Sequence, residues 1–203
     1  MSILLQKDII LVLSSTPPHP KMSSAEFFSK CFQLQDFYRC INDHNLDGIQ
    51  EMFDNGFDVN SEFDNDNLLF KMIKWYTSDE TLKRKTKMDV IRLLLKNGIN
   101  VNKVFNGCTV PCCACSCTAL CCAAMCGDIE VIQLLIDNGA EIDSLPGMIS
   151  PLIFAVAYNE PEAVQYLIGK GCNLNAKNIH GNTALQIANE MEYYSIAEMI
   201  EAK

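Results

Sequence analysis

The amino-acid sequence predicts an all-α fold, a solenoid of stacked helix-turn-helix units. The first observation is the segment 118–143, TALCCAAMCGDIEVIQLLIDNGAEID, which has the pattern of two short antiparallel helices. The second is that the end of this segment recurs elsewhere along the chain. The third is that one such pair is too apolar to remain folded alone in water, so it needs similar pairs beside it.

The central helix pair is delimited by residues with local structural preferences. Thr118 is a candidate N-cap for the first helix, whose predicted buried side includes the small residues Ala123 and Ala124. Gly127 breaks this helix, and Gly139 suits the position just after the second one. The second helix has a wide apolar face, formed by Val131, Ile132, Leu134, Leu135 and Ile136.

Copies of the closing phrase show that the chain is built from repeats. They are MFDNGFDVN at 52–60, LLKNGINVN at 94–102, LIDNGAEID at 135–143 and LIGKGCNLN at 167–175. Their glycines, Gly56, Gly98, Gly139 and Gly171, are 42, 41 and 32 residues apart. The unequal intervals indicate a regular unit that has been lengthened in two places.

These phrases resemble the ankyrin-repeat family, whose unit of about 33 residues begins with the motif TPLHxA. The motif's opening is matched by Ser150-Pro151-Leu152 and Thr183-Ala184-Leu185, whereas Asn67-Leu68-Leu69 and Gln35 stand in its place in earlier units. The resemblance covers about residues 36–203. It implies hairpin turns that project between the helix pairs, and a concave face that binds other proteins.

The predicted organisation has three parts. Residues 1–22 form an N-terminal extension or linker, because they end in a cluster of prolines. A capping helix at 23–35 is expected to cover the first repeat with Phe27, Phe28 and Phe32. The repeat domain spans 36–203, with five repeats at 36–60, 61–102, 103–143, 144–175 and 176–203. The first of these repeats is expected to have helices near 36–43 and 47–54.

The second repeat carries about ten extra residues within 77–87, which are expected to extend the front of its second helix. Lys83, Arg84, Lys85 and Lys87 are expected to form an exposed basic patch there. A solvated helix face is favoured over a nuclear-import or docking role, because short basic runs are common.

The third repeat has a turn about eight residues longer than the last one, and this turn is rich in cysteine. A zinc site is an alternative, with candidate ligands Cys108, Cys112, Cys113, Cys115 and Cys117. A redox-sensing cluster within 108–126 is another. Cys121 and Cys122 fall on a predicted helix, where cysteine commonly acts as a small buried apolar residue.

Composition narrows the class of partner and the compartment. The chain has 16 basic and 25 acidic residues, a net charge of −9, which argues against a general nucleic-acid or anionic-membrane binder. A neutral or basic protein partner is expected. The 11 cysteines are interpreted as reduced thiols of a cytoplasmic monomer, because no convincing secretory signal is present and the apolar stretch 3–13 is too short to span a bilayer.

No catalytic or cofactor-binding motif is found, so the chain is predicted to be noncatalytic and to use no cofactor. The phosphate-binding, dinucleotide-binding, zinc-protease and serine-hydrolase signatures are all missing from the sequence. The three histidines, His19, His44 and His180, are scattered through a linker and predicted turns. A Cys-His pair using His180 would lack the dry, oriented site that such chemistry needs.

The predicted function is that of a protein-interaction scaffold or adaptor. Alternatives are the zinc or redox module, and a targeting subunit that presents a ligand to a partner enzyme. Trp75 and Tyr158 are the expected anchors, and the turn from 105 to 116 is expected to act as a contact arm. The candidate binding residues lie at first-helix ends or in projecting turns: Asn42, Asp43, Lys74, Trp75, Phe105, Val110, Met125, Leu145, Met148, Ala157, Tyr158, Ile179, Glu190 and Met191.

Overall fold

The structure, a computed structural model, describes residues 24–63, 66–75, 81–105, 116–143 and 148–203. It contains two compact units, residues 1–57 and residues 58–203. The described residues form ten helices and a single pair of two-residue strands. The predicted all-α class is therefore confirmed. Among these residues, no helix combines the length and the apolarity that crossing a bilayer requires.

The first unit contains helices α1 (Ser24–Asn42) and α2 (Leu46–Asp54). Asn45 caps α2, since its Oδ1 accepts a hydrogen bond from the Gly48 amide at 2.9 Å. The core between the two helices is aromatic: the Phe37 ring stacks on Phe57 with centroids 6.1 Å apart, and Phe53 lies 6.3 Å from Phe37. At these centroid distances, each pair of rings stabilises the core beyond the effect of burying apolar area.

Two expectations about this unit are wrong. A capping helix and a separate first-repeat helix were predicted on either side of residue 35, but α1 continues through that point as one helix of 19 residues. The reason is that 24–42 contains neither glycine nor proline to interrupt it. Phe32, expected to cover the first repeat, is instead 65% exposed. Phe27 and Phe28 lie outside the described side chains.

The second unit contains four helix pairs. It begins with the antiparallel strands β1 (Glu62–Phe63) and β2 (Asp66–Asn67). The helices that follow are α3 (Leu68–Trp75), α4 (Thr81–Lys96), α5 (Ala119–Met125), α6 (Ile129–Asp137), α7 (Pro151–Ala157), α8 (Pro161–Gly169), α9 (Ala184–Glu190) and α10 (Tyr194–Glu201). Two helices make each repeat, as predicted. The insertion also lengthens the second helix of its repeat as expected, since α4 has 16 residues against nine in α6.

Packing within this unit is between neighbouring repeats. The first helices contact one another in the series α3, α5, α7 and α9, while the second helices α6, α8 and α10 form a parallel series. Three alanines are buried where the first helices meet: Ala123, Ala155 and Ala188. Their small side chains allow neighbouring first helices to approach closely. Cys121 and Cys122 are buried among them, which agrees with their interpretation as small core residues.

Two asparagines, Asn60 and Asn102, each four residues after the glycine that follows a second helix, form side-chain hydrogen bonds to the next repeat. The Asn60 amide Nδ2 donates to the Gly98 carbonyl at 3.2 Å, and its Oδ1 accepts from the Asn100 amide at 2.7 Å. Asn102 makes the same two bonds to the next repeat. Asp143 occupies the third position of this series and accepts from the Asn173 amide at 2.8 Å.

Candidate partner-binding surface

The ends of the first helices lie at equivalent positions in repeats three to five. Each of these helices begins at a capping residue, Thr118, Ser150 or Thr183, whose side chain accepts a hydrogen bond from a backbone amide in the first turn. Counting seven and eight residues from each cap gives one pair of residues per repeat. We call these pairs the first-helix row: Met125 and Cys126, Ala157 and Tyr158, Glu190 and Met191.

The exposure of the row increases toward the last repeat. Met125, Cys126 and Tyr158 are half-buried, whereas Ala157 and Glu190 are exposed and Met191 is 51% exposed. Tyr194, three residues beyond Met191 at the start of α10, is 64% exposed. Tyr194 was not among the predicted binding residues, although it lies only three residues after Met191, which was.

The turns that follow the row share one backbone conformation. Gly127, Asn159 and Glu192 hold equivalent positions, with φ angles of 63°, 57° and 60°. Glycine and asparagine tolerate this left-handed region, but glutamate rarely adopts it. The last repeat therefore presents Met191 on a turn that includes a strained residue.

Carboxylates surround the row. Glu160 and Glu162 flank it in the fourth repeat, and Glu190 and Glu192 do so in the fifth. The Glu160 carboxylate lies directly over Gly127, in the space that a Cβ at that glycine would occupy. Burial raises the pKa of Glu160, and the neighbouring charge of Glu162 raises it further. A cation brought to this point would favour the charged form of Glu160.

Lys87 of α4 forms an ion pair with Asp128, which lies in the turn after Cys126. Its Nζ donates to Asp128 Oδ2 at 2.9 Å, and the Lys87 side chain is only 5% exposed. The expectation that Lys87 belongs to an exposed basic patch is therefore wrong, because this residue lies on the apolar face of α4, one turn before Ile91. Arg84 and Lys85 are exposed as predicted.

Cys126 adjoins this ion pair. A hydrogen bond from the buried Cys122 thiol lowers the pKa of Cys126, and the Lys87 ammonium lowers it too. Burial, Asp128 and Glu160 oppose these effects without cancelling them. The row thus includes a thiol that ionises more readily than an ordinary cysteine.

Phe105, the first residue of the predicted contact arm, is not exposed as expected. Phe105 is only 2% exposed and stacks on Phe70 with ring centroids 4.6 Å apart. Its backbone pairs with Cys117 through two hydrogen bonds of 2.9 and 3.0 Å. Phe105 is therefore a core residue at the base of the turn, and its selection as an exposed contact is wrong. Val110 and Leu145 lie outside the described residues.

The remaining candidate residues have mixed environments. Ile179 is 64% exposed in the last hairpin, which the bridge between Lys177 and Thr183 closes. Met148 is half-buried. Asn42 and Asp43 are exposed at the end of α1 in the first unit. Lys74 and Trp75 end α3, and their side chains lie outside the described part of the structure.

The described residues contain no group of three His, Cys, Asp or Glu side chains that could hold a metal ion. Of the candidate zinc ligands, Cys117 is buried beside Phe105. Cys108, Cys112, Cys113 and Cys115 lie outside the described residues. The zinc alternative consequently gains no support from the residues whose positions are described.

Comparison with known families identifies the repeats. A model described as ankyrin repeats in three copies matches residues 120–202, and one described as ankyrin repeats in many copies matches residues 83–136. Together the two matches span 83–202, which is more than half of the 203 residues. The comparison with curated proteins gave no match. The helix pairs, their inter-repeat packing and these matches agree, and the chain belongs to the ankyrin-repeat family.

Proposed function

We propose that this protein is a noncatalytic scaffold or adaptor that binds a protein partner through the first-helix row and the apolar surface of its last repeat. One observation carries the proposal. Four large apolar side chains of the described residues are widely exposed: Phe32, Ile179, Met191 and Tyr194. Three of the four lie within residues 176–203, so exposure is concentrated rather than scattered.

The last repeat is a suitable support for such a contact. The Thr183 side chain and Gln186 form a reciprocal capping box at the start of α9, and Ala184 and Ala188 are buried. Ile196 and Ile200 anchor α10 in the same repeat. Exposed side chains on an ordered framework lose less entropy on binding than side chains on a mobile segment.

The surrounding charge favours a partner with basic groups. In the fourth repeat, Glu160 and Glu162 follow Tyr158 closely in the sequence. In the fifth repeat, Glu190 and Glu192 flank Met191. A partner with an apolar side chain flanked by lysine or arginine would bury the first and pair the second. Ankyrin repeats are in general protein-interaction modules. The acidic residues beside the row lead us to propose a partner that carries basic groups at its contact surface.

The proposal includes a noncatalytic role, a monomeric state and a cytoplasmic location. Ankyrin-repeat proteins are typically scaffolds without catalysis. Of the two described histidines, His44 lies in the first unit and His180 in the last hairpin, and both are exposed. An exposed imidazole on a turn lacks the water-excluded surroundings that acid-base catalysis uses. The reduced state expected of the thiols supports the cytoplasmic assignment.

Binding to a partner identified by proximity labelling in cells tests the proposal. We expect Tyr158→Ala and Met191→Ala each to weaken the affinity at least tenfold, since truncating a central apolar anchor commonly costs about 2 kcal/mol or more. Gln165→Ala, on the exposed side of α8, is the matched control and should leave the affinity unchanged. Circular dichroism on each variant separates lost binding from lost folding.

Full affinity in the double variant Tyr158→Ala, Met191→Ala would reject the first-helix row as the binding surface. The same assay tests two predictions that the described residues leave open. Trp75→Ala should weaken binding if that side chain is an anchor. Shortening 106–115 should do so if this turn contacts the partner.

A further inference from the structure

We propose that the exposed side of α4 is a second binding surface, which takes a short acidic segment of a protein partner. The surface consists of Lys85, Arg92 and Lys96, and Arg84 lies at its edge. It differs from the first-helix row, because α4 is the second helix of repeat two, whereas the row lies at the ends of first helices in repeats three to five. A protein with both surfaces could hold two partners of opposite charge at once.

The charge of α4 distinguishes it from the other second helices of its unit. It contains six lysines and arginines and one aspartate, a net charge of +5. The helices α6 and α10 each contain two acidic residues and α8 contains one, and none of the three has a basic residue. The whole chain has a net charge of −9. Positive charge is thus gathered on one helix of an otherwise acidic protein.

Helix stability does not account for this concentration of charge. Lys83 and Arg84 lie in the first turn of α4, which contains no acidic residue. The helix macrodipole disfavours cations at that end and favours them only at the other end, where Lys96 lies. Arg92 and Lys96 are also like charges four residues apart, a spacing that destabilises a helix. A helix face that is merely solvated commonly mixes charges of both signs, so the cations of α4 indicate another use.

Lys85, Arg92 and Lys96 share one side of α4. Successive residues of an α-helix are rotated by about 100°, so these three positions fall within about 40° of one another. All three are exposed, whereas the opposite side of the helix, with Val90 and Leu94, is fully buried. At a rise of about 1.5 Å per residue, the three cations form a line about 16 Å long.

The length of this line suits a short extended segment. About five residues of extended chain, at about 3.3 Å each, cover the same distance. Arg92 and Lys96 are about 6 Å apart along the helix axis, close to the spacing of alternate side chains in such a segment. A partner with carboxylates at alternate positions would therefore place one beside each of these two cations.

Two acidic side chains already contact this surface. The Glu130 carboxylate of the next repeat lies 3.5 Å from Arg92 and 3.7 Å from Arg84, and Asp89 lies 3.2 Å from Arg92. Glu130 and Arg92 are each about half exposed, and ion pairs between such side chains contribute little to stability. An incoming carboxylate can therefore replace Glu130 at small cost. A long polyanion such as nucleic acid would also extend over the acidic helix α6, so a short acidic segment fits better.

A nuclear magnetic resonance titration of the isotope-labelled full-length protein tests the proposal. The probe is the peptide Glu-Ser-Glu-Ser-Glu, blocked at both ends, and Gln-Ser-Gln-Ser-Gln is its neutral control. We expect only the acidic peptide to shift the backbone amide resonances of α4 in a saturable way. Its affinity should fall several-fold when sodium chloride is raised from about 50 to about 300 mM, because salt screens exposed charges.

Variants of the surface should change this affinity in both directions. The triple variant Lys85→Gln, Arg92→Gln, Lys96→Gln should bind the acidic peptide at least fivefold more weakly. Glu130→Gln should bind it several-fold more tightly, because the substitution removes a competing carboxylate. A purely structural role of the α4 cations would not produce this gain.

The matched control removes three exposed lysines of repeats four and five, Lys170→Gln, Lys177→Gln and Lys203→Gln. It has the same net charge as the α4 triple variant and should retain the affinity of the wild type. Circular dichroism shows whether each variant is folded. Equal affinities of the two folded triple variants would overturn the proposal, and so would the absence of α4 shifts in the wild type at millimolar peptide.

Two further outcomes would replace the proposed partner with another. An oligothymidylate that binds α4 more tightly than the acidic peptide would indicate nucleic acid. Self-association of the wild type that the α4 triple variant loses, measured by sedimentation, would indicate a second copy of the chain. The variant Tyr158→Ala, Met191→Ala should leave peptide binding unchanged, so this surface and the first-helix row can fail independently.

Discussion

The side-chain amide of Asn102 donates a hydrogen bond to the carbonyl oxygen of Gly139 at 2.9 Å. Its Oδ1 accepts a second bond, from the Glu141 amide at 2.9 Å, so one side chain joins two repeats. Asp143 holds the equivalent position one repeat later, four residues after Gly139. An ionised carboxylate accepts hydrogen bonds but donates none, so Asp143 reproduces only half of this arrangement.

Asn102→Asp should lower the free energy of unfolding by about 1 kcal/mol, because the Gly139 carbonyl loses its side-chain donor. Urea denaturation monitored by circular dichroism measures the change. Asn175→Asp is the control, since Asn175 is the equivalent residue of the next repeat and no side-chain hydrogen bond is found for it among the described residues. Equal losses in both variants would contradict the assigned role of Asn102.

Asp143→Asn should have the opposite effect and stabilise the protein by about 0.5–1 kcal/mol. The new amide would be able to donate to the next repeat as Asn102 does. The Asp143 charge also helps to raise the pKa of Cys172, so the substitution should lower that pKa. Unfolding curves and thiol titration report the two effects independently, and a less stable variant would reject the analogy with Asn102.

Cys172 should make stability fall at alkaline pH. Burial raises its pKa from 9.0 to about 11, so between these values the folded state retains a proton that the unfolded state releases. The free energy of unfolding should decrease across pH 9–11 by about 2 kcal/mol from this group, and the contribution is fully present below pH 9. Cys172→Ala should flatten that part of the profile, which urea unfolding at a series of pH values can measure.

Glu192→Gly should be more stable than Glu192→Ala by about 1 kcal/mol. Both variants remove the same charge, but only glycine adopts the φ of 60° without steric strain. Thermal unfolding of the two proteins gives the comparison. The pair Glu190→Gly and Glu190→Ala is the control at the last residue of α9, where glycine should instead be the less stable residue.

Lys87→Met should destabilise the fold by about 2–4 kcal/mol, because the partly buried Asp128 carboxylate loses its closest cation. Arg84 at 3.7 Å compensates only in part. Lys85→Met changes an exposed neighbour in the same way and should alter the unfolding free energy by less than about 0.5 kcal/mol. Similar unfolding curves for both variants would show that the buried ion pair contributes little.

The helical repeats could be predicted because their determinants are local. Thr118 and Gly139 mark the start and end of the third repeat in the sequence, and the structure confirms a cap at Thr118 and a φ of 87° at Gly139. Pro161 likewise begins α8 in the first turn, as its fixed φ favours. Apolar periodicity between such markers is sufficient to define the helix pairs.

The errors concern residues whose environment depends on distant partners. Phe105 was placed in an exposed turn because of the length of that turn, but its burial follows from stacking on Phe70, 35 residues earlier. Lys87 was grouped with a basic run, although its spacing from Ile91 already placed it on the apolar side of α4. The proposed binding surface includes Tyr194, which was not selected from the sequence, because the exposure of a side chain cannot be determined from sequence alone.

The pairing of Phe105 with Cys117 leads us to expect that the third repeat tolerates a change in the number of residues between them. The backbone enters and leaves the intervening turn at two hydrogen-bonded residues, and Phe105 holds this junction in the core. In general, doubling the number of residues between two fixed ends of a chain adds only about 0.6 kcal/mol to the entropic cost of closure. A foreign peptide could therefore be displayed between these two residues while the stack of helices beneath it stays intact.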